Sequence, residues 1–286
     1  MIQETHPLER FTRKGMIPHI WCAGCGNGVI LSELLRALVE LKIDLNKVAV
    51  VSGIGCIGRI SGYVNLDGFH TTHGRAIAFA VGLKAARPDI KVIVVSGDGD
   101  LFAIGGNHFI HAARRNIDMT VICSNNFNYG MTGGQAGPTT MPDNRTTTTP
   151  YGNIEHPFNL VHLAAGSGAV YVARWTTAHV RRIRESIKTA LTKKGFTFVE
   201  IISPCPEQYG RRNRMGEPID QFNWLREKSV VQHFSDPVKA EVGPNKVVVG
   251  EFVDVEKPEY TESLRRQMMT VQGTLEKEGR LTSAPL

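Results

Sequence analysis

Two polar motifs in the chain carry the residue types that bind Mg²⁺. Gly97-Asp98-Gly99 supplies a carboxylate, and Asn126 supplies an amide oxygen some 28 residues later. Mg²⁺ prefers hard oxygen ligands in octahedral geometry and commonly takes some of them from a phosphate group. The backbone carbonyl of Asn128 could complete the protein's share, and the glycines would let a diphosphate approach the main chain. The alternative is a pair of polar turns with no ligand.

Four of the five cysteines lie where metal ligands would be expected. Cys22 and Cys25 have the spacing of a tetrahedral thiolate site, either zinc or an iron–sulfur cluster. Cys56 and Cys205 follow predicted strands in Gly- or Pro-rich turns, whereas Cys123 lies inside an apolar run and is predicted to be core. The odd count argues against a disulfide framework. A cluster, a structural zinc and a thioredoxin-like pair stay open at this point, although the order of elements disfavours the last.

Gly53–Gly58 spells the G-x-G-x-x-G pattern of dinucleotide-binding folds, directly after a predicted strand. That fingerprint also needs an amphipathic helix behind the glycines and an acidic residue after the next strand. Arg59–Phe69 has no helical apolar spacing, and no acidic residue closes a second strand at the required distance. We therefore interpret the glycines as positions where backbone amides approach a different group closely.

The elements that would position these motifs alternate between strands and helices. Continuous β-branched runs predict strands buried on both faces of a parallel sheet, with Ala169–Ala173 as a weaker fifth strand. The four strong strands are Lys47–Ser52, Lys91–Ser96, Met119–Ser124 and Phe196–Ile202. The predicted helices are Gly28–Leu41, Arg75–Ala86, Leu101–Arg115 and Thr177–Lys194. This alternation predicts an α/β fold with a doubly wound, mostly parallel sheet.

Each strong strand runs directly into one of the polar motifs. The carboxyl ends of parallel strands share one edge of a sheet, and open α/β sheets bind ligands at that edge. The aperiodic segment Gly130–Pro157 follows the third strand and is expected to be functional or mobile. We divide the chain into an N-terminal arm (residues 1–15), a binding domain (16–215) and an irregular, charged C-terminal extension (216–286).

Composition narrows the class of protein. Apolar residues make up 42% and charged residues 21%, as in ordinary globular proteins. The net charge of +6 comes from basic residues that are dispersed and do not alternate with aromatic ones, so no nucleic-acid partner is expected. The sequence lacks both an 18-residue apolar window and a signal peptide, which predicts a cytoplasmic protein without membrane contact.

Taken together, the motifs resemble those of a known enzyme family. Gly-Asp-Gly followed by an Asn pair is similar to the thiamine diphosphate motif, and Tyr129–Gln135 resembles the β subunits of 2-oxoacid:ferredoxin oxidoreductases. Trp21–Gly26 is similar to the C-P-G-C-G segment of that family, with Ala23 at a non-ligand position where proline is usual. The resemblance covers residues 16 to about 215. Two further segments match: Gly53–Arg59 and His70–Arg75.

The resemblance implies a role for each matching residue. Asp98, Asn126 and the Asn128 carbonyl would hold Mg²⁺. His73 would contact the diphosphate or an intermediate, and Arg59 a substrate carboxylate; a structural histidine and a surface ion pair are the alternatives. One 4Fe-4S cluster would be held by Cys22, Cys25, Cys56 and Cys205. Thiamine diphosphate would contact Ile54, Gly55, Cys56, Ile57, His73, Gly99, Asp100, Gly130 and Met131.

The resemblance also implies a reaction and partners. Members decarboxylate a 2-oxoacid oxidatively onto coenzyme A and pass the electrons through the cluster to ferredoxin, or run the reverse carboxylation. The activating carboxylate belongs to a separate pyrimidine-binding domain, so an α subunit and an αβ or (αβ)₂ assembly are expected. His156–Gly168 and Gly210–Pro218 look more like 2-oxoglutarate members, which form succinyl-CoA, than pyruvate members. A pyruvate or broad-range enzyme, a thiamine-dependent decarboxylase component with structural zinc, and a non-catalytic binding module are the alternatives.

Overall fold

The computed structural model describes residues 7–277. Its strands, in chain order, are β1 (Val48–Ser52), β2 (Asp67–His70), β3 (Lys91–Gly97), β4 (Met119–Asn125), β5 (Asn128–Tyr129), β6 (Gln135–Ala136), β7 (Tyr171–Thr176), β8 (Phe196–Ile202), β9 (Ser229–Val231) and β10 (Val247–Asp254). Its α-helices are α1 (Asn27–Glu40), α2 (Ile60–Tyr63), α3 (Ala76–Ala86), α4 (Gly106–Arg114), α5 (Leu160–Gly166), α6 (Val180–Thr192), α7 (Pro218–Lys228) and α8 (Tyr260–Lys277). The expected α/β fold is confirmed.

Eight strands form one sheet in the order β2-β1-β3-β4-β8-β7-β10-β9. The first six are parallel to one another, and β10 pairs with β7 in the antiparallel sense. Alternate residues of the central strands enter two separate cores. One core packs beneath α1 and α6, and the other beneath α3, α4 and α5. The sheet is therefore doubly wound, with helices on both faces, as the continuous apolar strands predicted.

The four strong strands lie where the sequence predicted them, and the weaker fifth is displaced to Tyr171–Thr176. The helix expected over Leu101–Arg115 is divided, because a π-helical turn at Asp100–Ile104 precedes α4. The four-residue helix α2 is all that follows Gly53–Gly58 before β2, which agrees with the rejection of a dinucleotide fold.

The C-terminal region differs from the irregular extension that the sequence suggested. β9 and β10 continue the main sheet, and Val247, Val248 and Val249 of β10 are fully buried. The charged residues around this run hid a strand whose own side chains are apolar. Within residues 7–277, no helix is long and apolar enough to cross a membrane. The cytoplasmic location stays a prediction.

Candidate functional site

The carboxyl ends of β1, β3 and β4 open into one cavity of about 290 Å³. Every residue expected to touch the cofactor or Mg²⁺ lines it, although the roles of these residues stay predictions. Arg59 does not line the cavity: it ends the turn Ile57–Arg59 with an exposed side chain. The lining residues are Ile54, Gly55, Cys56, Ile57, His73, Gly97, Asp98, Gly99, Asp100, Ser124, Asn126, Asn128, Tyr129, Gly130, Met131 and Thr132.

Asp98 and Asn128 are buried polar groups that face this cavity. Burial raises the pKa of Asp98 to about 6, against the opposing effects of the Thr139 hydroxyl and nearby backbone N–H groups. The Asn128 side chain is buried, and neither its Oδ1 nor its Nδ2 has a hydrogen-bond partner among the described residues. Buried polar atoms without partners are rare, because leaving them unpaired is costly. The Asn128 side chain is thus free to bind a ligand in the cavity.

Both carboxylate oxygens of Asp100 accept hydrogen bonds from the protein. Its Oδ1 accepts hydrogen bonds from the Ile54 and Gly74 amides at 3.1 and 2.7 Å, and Oδ2 accepts one from Ser96 Oγ at 2.8 Å. A Cβ on Gly53 would overlap this carboxylate, which accounts for the first glycine of the G-x-G-x-x-G pattern. Asp100 therefore joins the loop after β1 to the loop before α3.

His73 is the fourth partner of Asp100. The distance between His73 Nδ1 and Asp100 Oδ1 is 2.6 Å, while 41% of the His73 side chain is exposed. Donation from Nδ1 to a carboxylate leaves Nε2 as the group that can act on a ligand. Tyr129 approaches the same histidine edge-on, with ring centroids 6.1 Å apart. The buried carboxylate thus sets the orientation of the His73 imidazole, which lines the cavity.

The four predicted thiolate ligands lie near one another beside the cavity. Burial, together with like-charge repulsion from the neighbouring Cys205, Cys25 and Cys22, raises the pKa of Cys56 to about 12. Cys25 has its pKa raised to about 11, mainly by burial, with Cys22 and Cys205 among the other causes. A Cβ on Gly130 would lie 3.2 Å from Cys205 Sγ, so this thiol lies directly behind a glycine that lines the cavity.

The cysteine loop is held in place by the fold. Trp21 Nε1 donates to the Cys56 carbonyl at 2.6 Å, and the Cys25 amide donates to the Cys22 carbonyl at 3.3 Å. Cys123 is fully buried in β4, as predicted. Within residues 7–277, no group of three or more His, Cys, Asp or Glu side chains is arranged to hold a metal ion. The four thiols share a neighbourhood without converging on one point.

Two contributors to the site were missed from the sequence. The Tyr129 ring packs so closely over Gly99 that any Cβ there would overlap it, and Tyr129 Oη lies 3.4 Å from the Gly99 carbonyl. Its position in the segment after β4 could have identified it. Thr139, whose hydroxyl contacts Asp98 Oδ2, lies in the aperiodic segment, where no pattern singles it out.

One protein family and several named proteins are similar to this chain in sequence. Residues 53–201 match the thiamine pyrophosphate enzyme family, in its C-terminal TPP-binding domain. The chain is 52% identical to the 2-oxoglutarate synthase subunit KorB of Methanocaldococcus jannaschii, covering 91% of this chain and 97% of that protein. It is 37% identical to the 2-oxoacid:ferredoxin oxidoreductase subunit beta of a Sulfolobus species, over 92% and 93% of the two chains.

A solved structure is similar over almost the whole chain. It is the 2-oxoglutarate:ferredoxin oxidoreductase of Magnetococcus marinus with 2-oxoglutarate, coenzyme A and succinyl-CoA bound. The TM-score is 0.82 at 34% identity, and the match covers 99% of this chain and 94% of that one. Fold, motifs and relatives agree. The chain belongs to the β subunits of the 2-oxoacid:ferredoxin oxidoreductases, within the wider family of thiamine pyrophosphate enzymes.

Proposed function

We propose that this chain is the β subunit of an enzyme that decarboxylates 2-oxoglutarate oxidatively to succinyl-CoA and CO₂, or runs the reverse carboxylation. Electrons would pass through a 4Fe-4S cluster to ferredoxin. One observation carries the proposal: Cys56 and the carboxylate of Asp98 line the same cavity, and Cys205 lies next to Gly130, which also lines it. Cofactor and cluster would then be neighbours. The names of the archaeal KorB relatives and of the Magnetococcus structure support 2-oxoglutarate as substrate.

The residues present fit thiamine diphosphate and Mg²⁺. Asp98, Asn126 and Asn128 offer the hard oxygens that Mg²⁺ prefers, and the unpaired side chain of Asn128 supports a ligand at this place. Thiamine diphosphate, when bound, would supply the electron sink that decarboxylation of a 2-oxoacid requires. Gly99 and Gly130, which line the cavity, would contact its diphosphate.

The chain's own groups would bind, orient and exclude water. His73, aligned by Asp100, would present Nε2 to the diphosphate or to the substrate carboxylate. Ile57 forms a buried apolar wall, and Ile54 and Met131 form a rim that is 40% and 44% exposed. Excluding water would strengthen the polar contacts inside the cavity. Arg59 could reach a substrate only from outside the lining.

A β subunit has an α subunit as its partner, and we propose that this partner covers the exposed rim and supplies the carboxylate that activates the cofactor. The chain alone is then expected to be inactive. The decisive experiment is a panel of 2-oxoacids with the chain and its co-expressed α subunit, followed by coenzyme A-dependent reduction of a viologen dye. Reduction with 2-oxoglutarate is expected, and no reduction with any 2-oxoacid would end the proposal.

A broad substrate range is the second candidate, because the Sulfolobus relative is named for 2-oxoacids in general. The same panel separates the two: a specific enzyme prefers 2-oxoglutarate over pyruvate, and a broad one turns over both at similar kcat/KM.

The cluster has its own test. Anaerobically purified protein should be brown and hold about four iron atoms per chain if the site is a cluster like those held by four cysteine thiolates. Cys205→Ser should lose iron and visible absorbance, whereas Cys123→Ser, at the buried core thiol, should keep both. A colourless protein with one zinc per chain would support the decarboxylase component with structural zinc instead.

A further inference from the structure

A continuous line of buried polar side chains runs from the interior of the sheet to Asp98. Arg174 Nε donates to Glu200 Oε2 at 2.6 Å, and Asn125 Nδ2 donates to Glu200 Oε1 at 2.8 Å. Asn125 Oδ1 lies 3.0 Å from Thr139 Oγ1, whose hydroxyl also contacts Asp98 Oδ2. All five side chains are at most 3% exposed. The line crosses three neighbouring strands, β7, β8 and β4, before it reaches the cavity.

At the end of this line farthest from the cavity, two opposite charges pair with each other and are held by further hydrogen bonds. Arg174 and Glu200 form an ion pair buried to 1% exposure on both sides, and the guanidinium also donates to the Ala240 carbonyl at 2.7 Å and to Asn159 Oδ1 at 3.1 Å. Buried charges are tolerated when they are paired and their remaining donors are satisfied. Glu200 is thereby held still, and it holds the Asn125 amide in turn.

Stability alone gives little reason for such a line. Well-packed apolar residues in place of a buried ion pair are often neutral or stabilising. What distinguishes the line is where it ends, on a carboxylate in the candidate site. Thr139 belongs to the aperiodic segment, and its neighbour Thr140 fixes the backbone there. Thr140 Oγ1 donates to the Phe127 carbonyl at 2.6 Å and accepts from the Gly137 amide at 2.8 Å.

The Thr139 hydroxyl has one proton and two acceptors within reach. A carboxylate that binds a metal is ionised, and a hydrogen bond to a charged acceptor is the stronger one. The proton is then shared unequally between the two acceptors: Thr139 donates mainly to Asp98 Oδ2, and Asn125 Oδ1, 3.0 Å away, is the weaker second acceptor of the same hydrogen bond. With Oδ2 fixed in this way, the carboxylate cannot rotate without breaking that bond.

We propose that Thr139 is a positioning residue for Asp98, and that Asn125, Glu200 and Arg174 anchor it. The inference rests on the proposed role of Asp98 as a Mg²⁺ ligand. It adds that the geometry of this ligand is set from the core of the sheet, by a hydroxyl that never touches the metal. Loss of the hydroxyl should weaken Mg²⁺ binding by about 10- to 100-fold, the usual effect of removing a group that orients a ligand.

The test measures Mg²⁺ binding rather than turnover. The chain is purified with its α subunit, stripped with EDTA, saturated with thiamine diphosphate and titrated with Mg²⁺ by calorimetry. Thr139→Val should bind more weakly by the stated factor, and Thr139→Ser, which keeps the hydroxyl, should restore binding. Thr120→Val is the matched control, because Thr120 is also buried and donates to the Ala190 carbonyl at 3.1 Å. Thr120 lies on β4, the strand that ends in Asn125, but near the end of that strand that is remote from the cavity. Its Mg²⁺ constant should equal that of the wild type.

Failure of the inference and failure of the proposed function give different results. If Asp98→Asn abolishes Mg²⁺ binding while Thr139→Val binds like the wild type, the positioning role is overturned. If the wild type shows no Mg²⁺-dependent binding of thiamine diphosphate at all, the proposed function itself fails. Circular dichroism checks folding; should Thr139→Val not fold, Thr139→Ala removes the same hydroxyl without added bulk, and its Mg²⁺ constant decides instead.

Discussion

Two aspartates that are separated by one glycine show how surroundings assign roles to identical side chains. Asp100 receives four hydrogen bonds from the protein, so its negative charge is compensated within the fold. Asp98 has the Thr139 hydroxyl and nearby backbone N–H groups, and it faces the cavity. The first carboxylate serves the architecture of the loops. The second is buried, and within residues 7–277 it forms no ion pair with a basic side chain, which is what a site for a metal cation requires.

The pKa of Asp98 predicts a stability that depends on pH. Burial raises that pKa from 3.8 to about 6, so the metal-free folded protein holds this proton more tightly than the unfolded chain does. Its contribution to stability is present at low pH and is lost as pH rises from about 4 to about 6. At pH 7 the loss is about 3 kcal/mol. Asp98→Asn, which cannot ionise, should therefore gain stability relative to wild type across this range.

Urea unfolding of both proteins without Mg²⁺ or thiamine diphosphate, at intervals from pH 4 to 7.5, measures this difference. Subtracting one curve from the other cancels every other titrating group. A difference that stays flat across the range would contradict the raised pKa. With Mg²⁺ and cofactor added, the advantage of Asp98→Asn should disappear, because only the wild type then gains from binding.

Replacing Asp100 should lower the free energy of unfolding, whereas replacing Asp98 should raise it. Asp100→Ala would leave the Ile54 and Gly74 amides and the buried Ser96 hydroxyl without their acceptor. Each buried donor left unpaired costs about 1–3 kcal/mol, so we expect a loss of at least about 3 kcal/mol in the free energy of unfolding. Asp89→Ala is the control, because its ion pair with Arg87 is exposed to solvent and its loss should change the free energy of unfolding far less. Equal effects in the two variants would show that Asp100 does not join the loops.

At the scale of elements, the cysteine loop depends on α7. Gly24 has φ +77°, and a Cβ there would lie 2.5 Å from Pro218 Cβ, at the start of that helix. Gly15 has φ +78° but open space around it. Alanine at either position should cost about 1–2 kcal/mol for the left-handed backbone. Gly24→Ala should cost about 1–3 kcal/mol more, since the helix must shift.

Denaturation midpoints and iron content measure the two variants side by side. Only Gly24→Ala should also lose iron, because Cys22 and Cys25 flank the displaced glycine. If both variants keep the same iron and the same stability, packing of α7 on this loop has no part in holding the cysteines.

The central strands β1, β3, β4 and β8, buried on both faces, could be predicted from the sequence, whereas β2 at the sheet's edge and β10 in the charged C-terminal region could not. The continuous apolar runs of β3, β4 and β8 identify them as strands. The polar motifs that follow their carboxyl ends made the site predictable. Edge strand β2 is exposed along its length, so no burial pattern marks it. Likewise, the contact of Thr139 with Asp98 joins residues 41 positions apart through a segment without periodicity. Such contacts depend on tertiary packing rather than on local pattern.

At the scale of the whole molecule, one sheet contains strands of both the predicted binding domain (16–215) and the predicted C-terminal extension (216–286). β10 covers the edge of β7, pairing Gly250 with Arg174 and Glu251 with Ala173. Arg174 anchors the polar line to Asp98, and the Ala240 carbonyl that it binds lies beyond residue 216. The C-terminal region thus supports the candidate site through its contacts with β7. Two truncated chains test whether the fold and the site depend on this region.

A chain ending after Lys228 would lose β9, β10 and α8. Burial of Val247, Val248, Val249 and Phe252 would be lost with them, at about 1.5–3 kcal/mol each, and the sum is comparable to the whole stability of a typical domain. We expect that chain to be insoluble or unfolded. A chain ending after Glu259 loses only α8, which has no buried residues, and should keep its unfolding midpoint and its iron. Cooperative unfolding of the shorter chain, with iron retained, would instead show that residues beyond 228 are dispensable to the fold and that the site does not depend on the closed edge of β7.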